Sequence, residues 1–199
     1  MQPPPPPEAD LKARTVEEAC TLAKCAATLL YNSSMWLHFV TTLGGVSYAM
    51  SESFGLAAAT ALDSLDKDNP RVSQSALPRF VALVDLGRTV THAMSQNSAT
   101  LANLLGKNSI SYLPREASDA NTLAALNTEF RNIFARLSLL EANLDPIGSA
   151  AIHKGVISLR NQHDKNASIA CDTAREVEKN LGIMIRILRL LEFLVSDVR

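Results

Sequence analysis

The chain has 199 residues, of which 47% are hydrophobic, and its formal net charge is −1 with an isoelectric point near 6.4. This length and apolar content suffice for a substantial core in one domain or two small ones. The near-neutral charge excludes the basic surface that nucleic-acid binding requires, so we expect no nucleic-acid partner. Only 5% of the residues are aromatic, glycines number eight, and strand-like alternation is absent, which together predict an all-α protein.

The N-terminal segment, residues 1–8, contains five consecutive prolines and predicts a disordered, extended arm. A first helix is then predicted from Thr15, because Thr15 and Glu18 have the spacing of a capping box. Its apolar face is narrow and rich in alanine, and the polar cluster at residues 32–34 predicts an end or a bend just after Tyr31.

Residues 34–65 form the most apolar part of the chain, and Gly44–Gly45 predicts a kink or break in the second helix there. The uncharged stretch 31–51 is about as long as a membrane span. It contains His38 and several hydroxyl residues and lacks basic flanks, so we favour a buried hairpin and keep membrane contact as the less favoured alternative. A polar segment follows at residues 65–70. We therefore predict a helical N-terminal unit over 9–66 and a second unit over 75–199.

The second predicted unit is a three-helix, coiled-coil-like bundle. Its first helix begins near Ser75, with Pro78 tolerated in the first turn, and ends near Gly106. The next begins at Ser118 or Asp119, carries a seam that is apolar at every position, and ends before Pro146. The following link is short, so this helix and the last one are predicted to be antiparallel neighbours.

The last fifty residues carry a seven-residue repeat from Ile152 to Val198, in which apolar or small positions alternate at steps of four and three. This spacing is typical of a helix that buries one narrow seam against a partner helix. A single helix over about 149–198 would be roughly 70 Å long at 1.5 Å per residue. The sequence therefore predicts an elongated antiparallel helical bundle or coiled coil with a long C-terminal helix.

Polar residues occupy several positions of this seam, and polar seam residues select register and partner at a cost in stability. We therefore interpret the seam as a candidate interface with another chain. Its candidate residues are His163, Asn166, Thr173, Asn180, Met184, Ile187, Leu191, Leu194 and Val198. In the alternative, the polar part of the seam faces solvent, and the core face uses Ile157, Ile169, Ala174 and Leu181.

No catalytic, cofactor or metal site is predicted. Cys20 and Cys25 are five residues apart and so do not share a helix face, and a pairing of His163 with Cys171 would span eight residues of helix. Neither zinc-ligand spacing nor a phosphate-binding glycine loop is found. An odd number of cysteines and the absence of a secretory signal favour reduced thiols in a cytoplasmic protein.

The leading functional hypothesis is a non-enzymatic helical scaffold or adaptor subunit of a larger multiprotein assembly. It would bind other protein chains, as a hetero- or homo-oligomer, through coiled-coil packing of its long helices. The alternative is a membrane-active or lipid-binding helical bundle that uses the apolar stretch 31–51.

Overall fold

Four helices account for almost all of the ordered secondary structure in the computed structural model. The structure describes residues 8–66, 71–105, 123–141 and 146–198. The helices are α1 (Glu8–Leu62), α2 (Leu77–Leu104), α3 (Leu123–Glu141) and α4 (Pro146–Ser196). Strands are absent from these residues, and the helices pack on one another, which confirms the predicted all-α bundle. The predicted long C-terminal helix is likewise confirmed, since α4 has 51 residues.

Helix α1 is continuous over 55 residues, so the predicted helix end at residues 32–34 and the predicted break at Gly44–Gly45 are wrong. The alternatives of a bend and a kink at these positions stay predictions. Ser33 and Gly44 are both fully packed inside the protein and serve helix contacts instead. The Ser33 hydroxyl bonds to His163 of α4, and a side chain on Gly44 would overlap the methyl group of Thr173. Ser33 and Gly44 have the local character of helix breakers, but in this fold their small size lets a neighbouring helix approach closely.

Several predicted boundaries are corrected or fall outside the described residues. Helix α1 begins at Glu8, so Thr15 is not its N-cap, and Glu18 instead binds Arg136 at 2.7 Å. Pro78 does lie in the first turn of α2, as predicted. The proline run, the predicted cap at Gly106 and the start of the helix predicted from residue 118 lie outside the described residues.

The chain divides into two compact units, whereas the division into segments 9–66 and 75–199 stays a prediction. Unit 1 comprises Met1–His38 and Tyr112–Ile169, and unit 2 comprises Phe39–Ser111 and Ala170–Arg199. Each unit therefore contains a part of α1, a part of α4 and one shorter helix. Both long helices carry a buried face in each unit, so each unit is built from segments that are distant in the sequence.

Unit 1 packs α3 against the first parts of α1 and α4. Helix α3 is antiparallel to α1: Arg136 near its end contacts Glu18, whereas Asn127 near its start lies with Ser33 around His163. The short connection from α3 to α4 makes these two helices antiparallel neighbours as well. The buried apolar residues of this core are Ala19, Leu22, Ala26, Phe130, Ile133, Leu137 and Val156.

Unit 2 packs α2 against the later parts of α1 and α4. Helices α1 and α4 are parallel here, because Gly44 lies against Thr173 and Gly55 lies against Met184. Helix α2 is antiparallel to α1, with Asn97 bonded to Ser47 at 2.9 Å. The largest buried side chains of this core are Phe54, Phe80, Met94, Leu101 and Leu191.

Another close helix approach in unit 2 is at Gly87 of α2. A Cβ atom at this position would lie 2.7 Å from the Phe54 ring and 3.0 Å from a methyl carbon of Leu188. The Phe54 ring is fully buried and cannot move aside without disturbing the core. Glycine is therefore required here by packing, although it is a poor helix former.

We predict that Gly87→Ala destabilises the protein by about 1–3 kcal/mol, because the overpacking cost exceeds the roughly 1 kcal/mol gained in helix propensity. The matched control is Gly182→Ala in α4, where a Cβ atom would meet nothing within 4 Å. This control should raise stability by about 0.5–1 kcal/mol. Urea denaturation followed by circular dichroism measures both changes, and equal stabilisation by the two alanines would contradict the close packing at Gly87.

Candidate functional site

The residues predicted to contact a partner lie in the interior of the chain's own bundle. His163, Asn166, Met184, Leu191 and Leu194 are buried. Thr173, Asn180, Ile187 and Val198 are half-buried. The seam residues of α4 are therefore buried or half-buried by packing within the chain, and their contact with a partner stays a prediction.

The alternative core face is not supported either. Ile157 and Ile169, which that alternative places in the core, are exposed, with Ile169 showing 48% of its surface to solvent. Ala174 and Leu181 are half-buried. The seven-residue repeat thus follows the side of α4 that packs within the chain.

A buried polar cluster in unit 1 replaces the partner contacts that were predicted for the seam. The His163 ring lies between Ser33 of α1 and Asn127 of α3: its Nδ1 is 2.9 Å from Ser33 Oγ, and its Nε2 is 2.8 Å from Asn127 Oδ1. Asn166 Nδ2 donates to Ser33 Oγ at 3.3 Å, and Gln162 Nε2 donates to Asn166 Oδ1 at 3.2 Å. One layer of the three-helix core is therefore polar and hydrogen-bonded across all three helices.

The contacts define the protonation state of His163. The carbonyl oxygen of Asn127 can only accept, so Nε2 carries the proton and donates to it. Nδ1 is then the acceptor for the Ser33 hydroxyl, while Ser33 Oγ accepts from Asn166. Each group donates and accepts in turn, so the neutral imidazole has both nitrogens satisfied.

The surroundings of His163 disfavour its charged form. Burial lowers its pKa below the ordinary value, as does Arg160 to a smaller degree, while Asp164 opposes the shift. Phe130 stacks on the imidazole with ring centroids 4.6 Å apart and an interplanar angle of 25°. Arg160 and Asp164 bind each other at 2.9 Å. The cluster is therefore an electrically neutral hydrogen-bond network, and the Phe130 ring covers one face of its imidazole.

The order Ser33–His163–Asn127 resembles a nucleophile, a base and an orienting group in its bonding pattern. Both Ser33 and His163 are completely buried, however, and a substrate could reach Ser33 Oγ only if the helices separated. Such a network instead specifies which helix layers meet, because any shift in register would leave several buried polar atoms without partners. We assign the cluster a positioning role in the bundle.

Large apolar side chains outside the predicted seam are exposed on the outer faces of α1 and α4. In unit 2, α4 exposes Ile183, Leu190 and Phe193, and α1 exposes Phe39, Val46 and Leu56. The sequence contains a signal for the α1 set: residues 39, 42, 46, 49, 53, 56 and 60 repeat at steps of three and four, on the side of the helix opposite the buried set. Two repeats on one helix predict two contact faces.

Within the described parts of the chain, no group of three or more histidine, cysteine or acidic side chains could hold a metal ion. Cys20 and Cys25 are exposed and Cys171 is half-buried, all three as free thiols. Among the helical residues that the structure describes, no stretch is both long and apolar enough to cross a membrane.

Comparison with known proteins gives no relative: no family model, curated protein or solved structure matches this chain. Functional assignment therefore depends on the surfaces and contacts of the protein itself.

We predict that Ser33→Ala destabilises the protein by about 1–3 kcal/mol, because it removes the donor to His163 Nδ1 and the acceptor for Asn166. The neighbouring Ser34 is exposed and provides the control. Its hydroxyl donates to the Leu30 carbonyl at 3.0 Å and accepts only a long bond, of 3.5 Å, from Asn166 Nδ2, so Ser34→Ala should change stability by less than about 0.5 kcal/mol. Thermal and urea unfolding of the two variants measure the difference, and an equal effect would contradict the network.

We also predict a pH dependence that belongs to His163. Its pKa is lowered in the folded protein, so below about pH 6.5 the unfolded state binds the proton preferentially. The free energy of unfolding should therefore fall as the pH drops through 6.5, by at most about 1.4 kcal/mol per pH unit, and level off below the folded-state pKa. His163→Gln, which cannot titrate, should lack this component. Urea denaturation between pH 5 and 8 tests this, and parallel curves for the two proteins would refute it.

Proposed function

We propose that this chain is a non-enzymatic helical scaffold or adaptor subunit of a multiprotein assembly, acting in the cytoplasm. The observation that supports this proposal is the outer face of α4 in unit 2. There, large apolar side chains are exposed although the buried seam of the same helix is already filled. The exposed thiols of Cys20 and Cys25 support a reducing compartment.

The spacing on this outer face suits a helical partner. Ile183, Leu190 and Phe193 are seven and three residues apart, so they lie along one side of α4. Phe193 exposes 65% of its surface. Exposed aromatic residues at the centre of an apolar patch are common anchors of protein interfaces. Covering the part of each side chain that is exposed would contribute about 0.6–2 kcal/mol before the costs of association.

The charges on the same face indicate the chemistry of the partner. Arg186 and Arg189 are exposed and form no ion pair with any described residue. The preceding Lys179 is bound to Glu176 at 3.1 Å, so Arg186 and Arg189 are the basic residues beside the apolar patch that have no acidic partner among the described residues. The exposed Asp197 lies one turn beyond Phe193, at the end of the patch. An acidic amphipathic helix would match both features, with apolar residues against Leu190 and Phe193 and carboxylates near the arginines.

An anionic lipid surface offers the same two chemistries, and it is the outcome that the lipid-binding alternative requires. Three side chains on a helix whose other side is packed in a bundle provide a small insertion depth. The repeat spacing of the patch instead matches the side-by-side contact of two helices. We therefore propose the protein partner and treat lipid binding as the competing result of the experiment.

We predict that a photo-reactive amino acid placed at Phe193 in the full chain forms a cross-link to one defined protein in the producing cells. The matched control carries the same amino acid at Ser158, an exposed position of α4 in unit 1, and should give no such product. Leu190→Glu should abolish the Phe193 cross-link without changing the circular dichroism spectrum, because Leu190 is exposed.

Cross-linking only to lipid, together with flotation of the purified protein on anionic vesicles, would overturn the adaptor proposal in favour of membrane-surface binding. Identical cross-linking patterns from Phe193 and Ser158 would show that the α4 outer face is not an interface.

A further inference from the structure

We infer that residues 39–60 of α1 bind a second copy of this chain, with the two α1 helices antiparallel across a two-fold axis. The inference concerns a different surface from the α4 outer face and does not depend on the α4 partner. If both hold, the dimer presents two α4 faces to the assembly.

The first observation is a continuous exposed strip on α1 within unit 2. The strip consists of Phe39, Thr42, Val46, Ala49, Ser53, Leu56 and Thr60, all exposed. It lies on the side of the helix opposite a buried set with the same spacing, namely Val40, Gly44, Ser47, Ser51, Phe54, Ala58 and Ala61. This part of α1 therefore lacks a distinct polar side, and its outer side has the spacing of a coiled-coil seam.

The second observation is the absence of charge. Between Lys24 and Asp63 the sequence contains one charged residue, Glu52. A helix that faces water over this length normally carries charged side chains on its outer side. A strip with an exposed phenylalanine and a leucine that is 70% exposed is instead typical of a surface that another chain covers.

The order of residues within the strip favours a second copy as the occupant. A two-fold axis between residues 47 and 48 places Phe39 opposite Leu56, Thr42 opposite Ser53, and Val46 opposite Ala49 of the other copy. Each of these three pairs occurs twice, once on each side of the axis. The pairs at the ends are large and apolar, the next pairs carry hydroxyl groups, and the central pairs are smaller and apolar. A surface that complements itself in this way is what an isologous dimer requires.

A groove between α1 and α2 lies where the end of the second helix would arrive. It is lined by Leu56, Ala57 and Thr60 of α1 and by Ala82, Leu83 and Leu86 of α2, and its volume is about 500 Å³. Antiparallel pairing brings Phe39 of the second copy to Leu56, at this groove. Leu86 on the groove edge is exposed in the single chain and would gain apolar cover.

Two charged residues lie near the strip: Glu52 of α1, and Arg79 of α2, which lines the groove. Glu52 flanks the strip, and antiparallel pairing brings it close to Gly45 of the other copy rather than to another carboxylate. The two Glu52 residues would be about 13 Å apart along the helix direction, which exceeds the screening length at physiological salt. Gly45 has open space around it and so admits a close neighbour.

The test uses the full chain and two charge variants at the proposed axis. Unmodified protein should sediment with twice the monomer mass of 21.5 kDa. Ala49→Glu should raise the dimer dissociation constant at least about tenfold, as should Ala49→Lys, because the two copies of residue 49 would lie about 4.5 Å apart along the axis. Mixing the two variants should restore a dimer, seen by native mass spectrometry as the mixed species.

Two sets of controls keep the result specific. Ala151→Glu and Ala151→Lys change an exposed alanine of α4 in unit 1 and should leave the dimer intact. Phe39→Ala should weaken the dimer, whereas Tyr48→Ala should not, although Tyr48 is similarly exposed on α1. Circular dichroism confirms that each variant is folded.

A monomer at all concentrations up to about 100 μM would overturn the inference. A dimer that Ala49→Glu and Phe39→Ala leave unchanged would overturn it as well, because the contact would then lie elsewhere. Failure of the α4 proposal is distinguishable, since the Phe193 cross-link can be measured in the Ala49→Glu monomer.

Discussion

The contact between α1 and α4 is the constraint on which both compact units depend. In unit 1 it is made through the bond from Ser33 to His163, and in unit 2 through the contact of Gly44 with Thr173. Each shorter helix then covers the groove that this pair leaves open. A helix pair with only leucine along its seam could slide by a turn at little cost, because the layers would be alike. Here one polar layer and one small-residue layer make each register distinct.

These two devices act by different physics. The His163 layer disfavours other registers because buried polar atoms would lose their partners, which costs about 1–3 kcal/mol for each unsatisfied group. The Gly44 and Gly87 contacts disfavour them because larger residues would be brought to positions with no room for a Cβ atom. Neither the polar layer nor the small-residue layer buries much apolar surface. The stability of the units comes from their large buried residues, and these two layers select how those residues meet.

The sequence predicted the helical class, the long last helix and its buried side, because a repeat of four and three is local information. It did not predict the continuity of α1, since Ser33 and Gly44 have the local character of helix breakers and their partners lie about 130 residues away in the chain. For the same reason the polar seam residues of α4 were assigned to a foreign partner. The seven-residue spacing places His163 on the buried side of α4, where its ring nitrogens need hydrogen-bond partners. Only the fold shows that Ser33 and Asn127 are those partners. The outer strip of α1 was visible in the sequence as a second repeat, and the assumption of one seam per helix concealed it.

The outer apolar sides of α1 and α4 are available to other chains only if the inner sides of these helices pack on each other. The α1–α4 pairing is therefore the claim to test most directly. In a chain whose natural cysteines are replaced by serine, Gly44→Cys and Thr173→Cys would place Cβ atoms about 3.8 Å apart, a separation that a disulfide requires. The pairing predicts rapid and complete formation of this bond within one chain under mild oxidation. Gly45→Cys, whose Cβ atom would meet nothing within 4 Å, should not bond to Thr173→Cys. Failure of the first pair to close, or closure of both pairs at the same rate, would contradict the account.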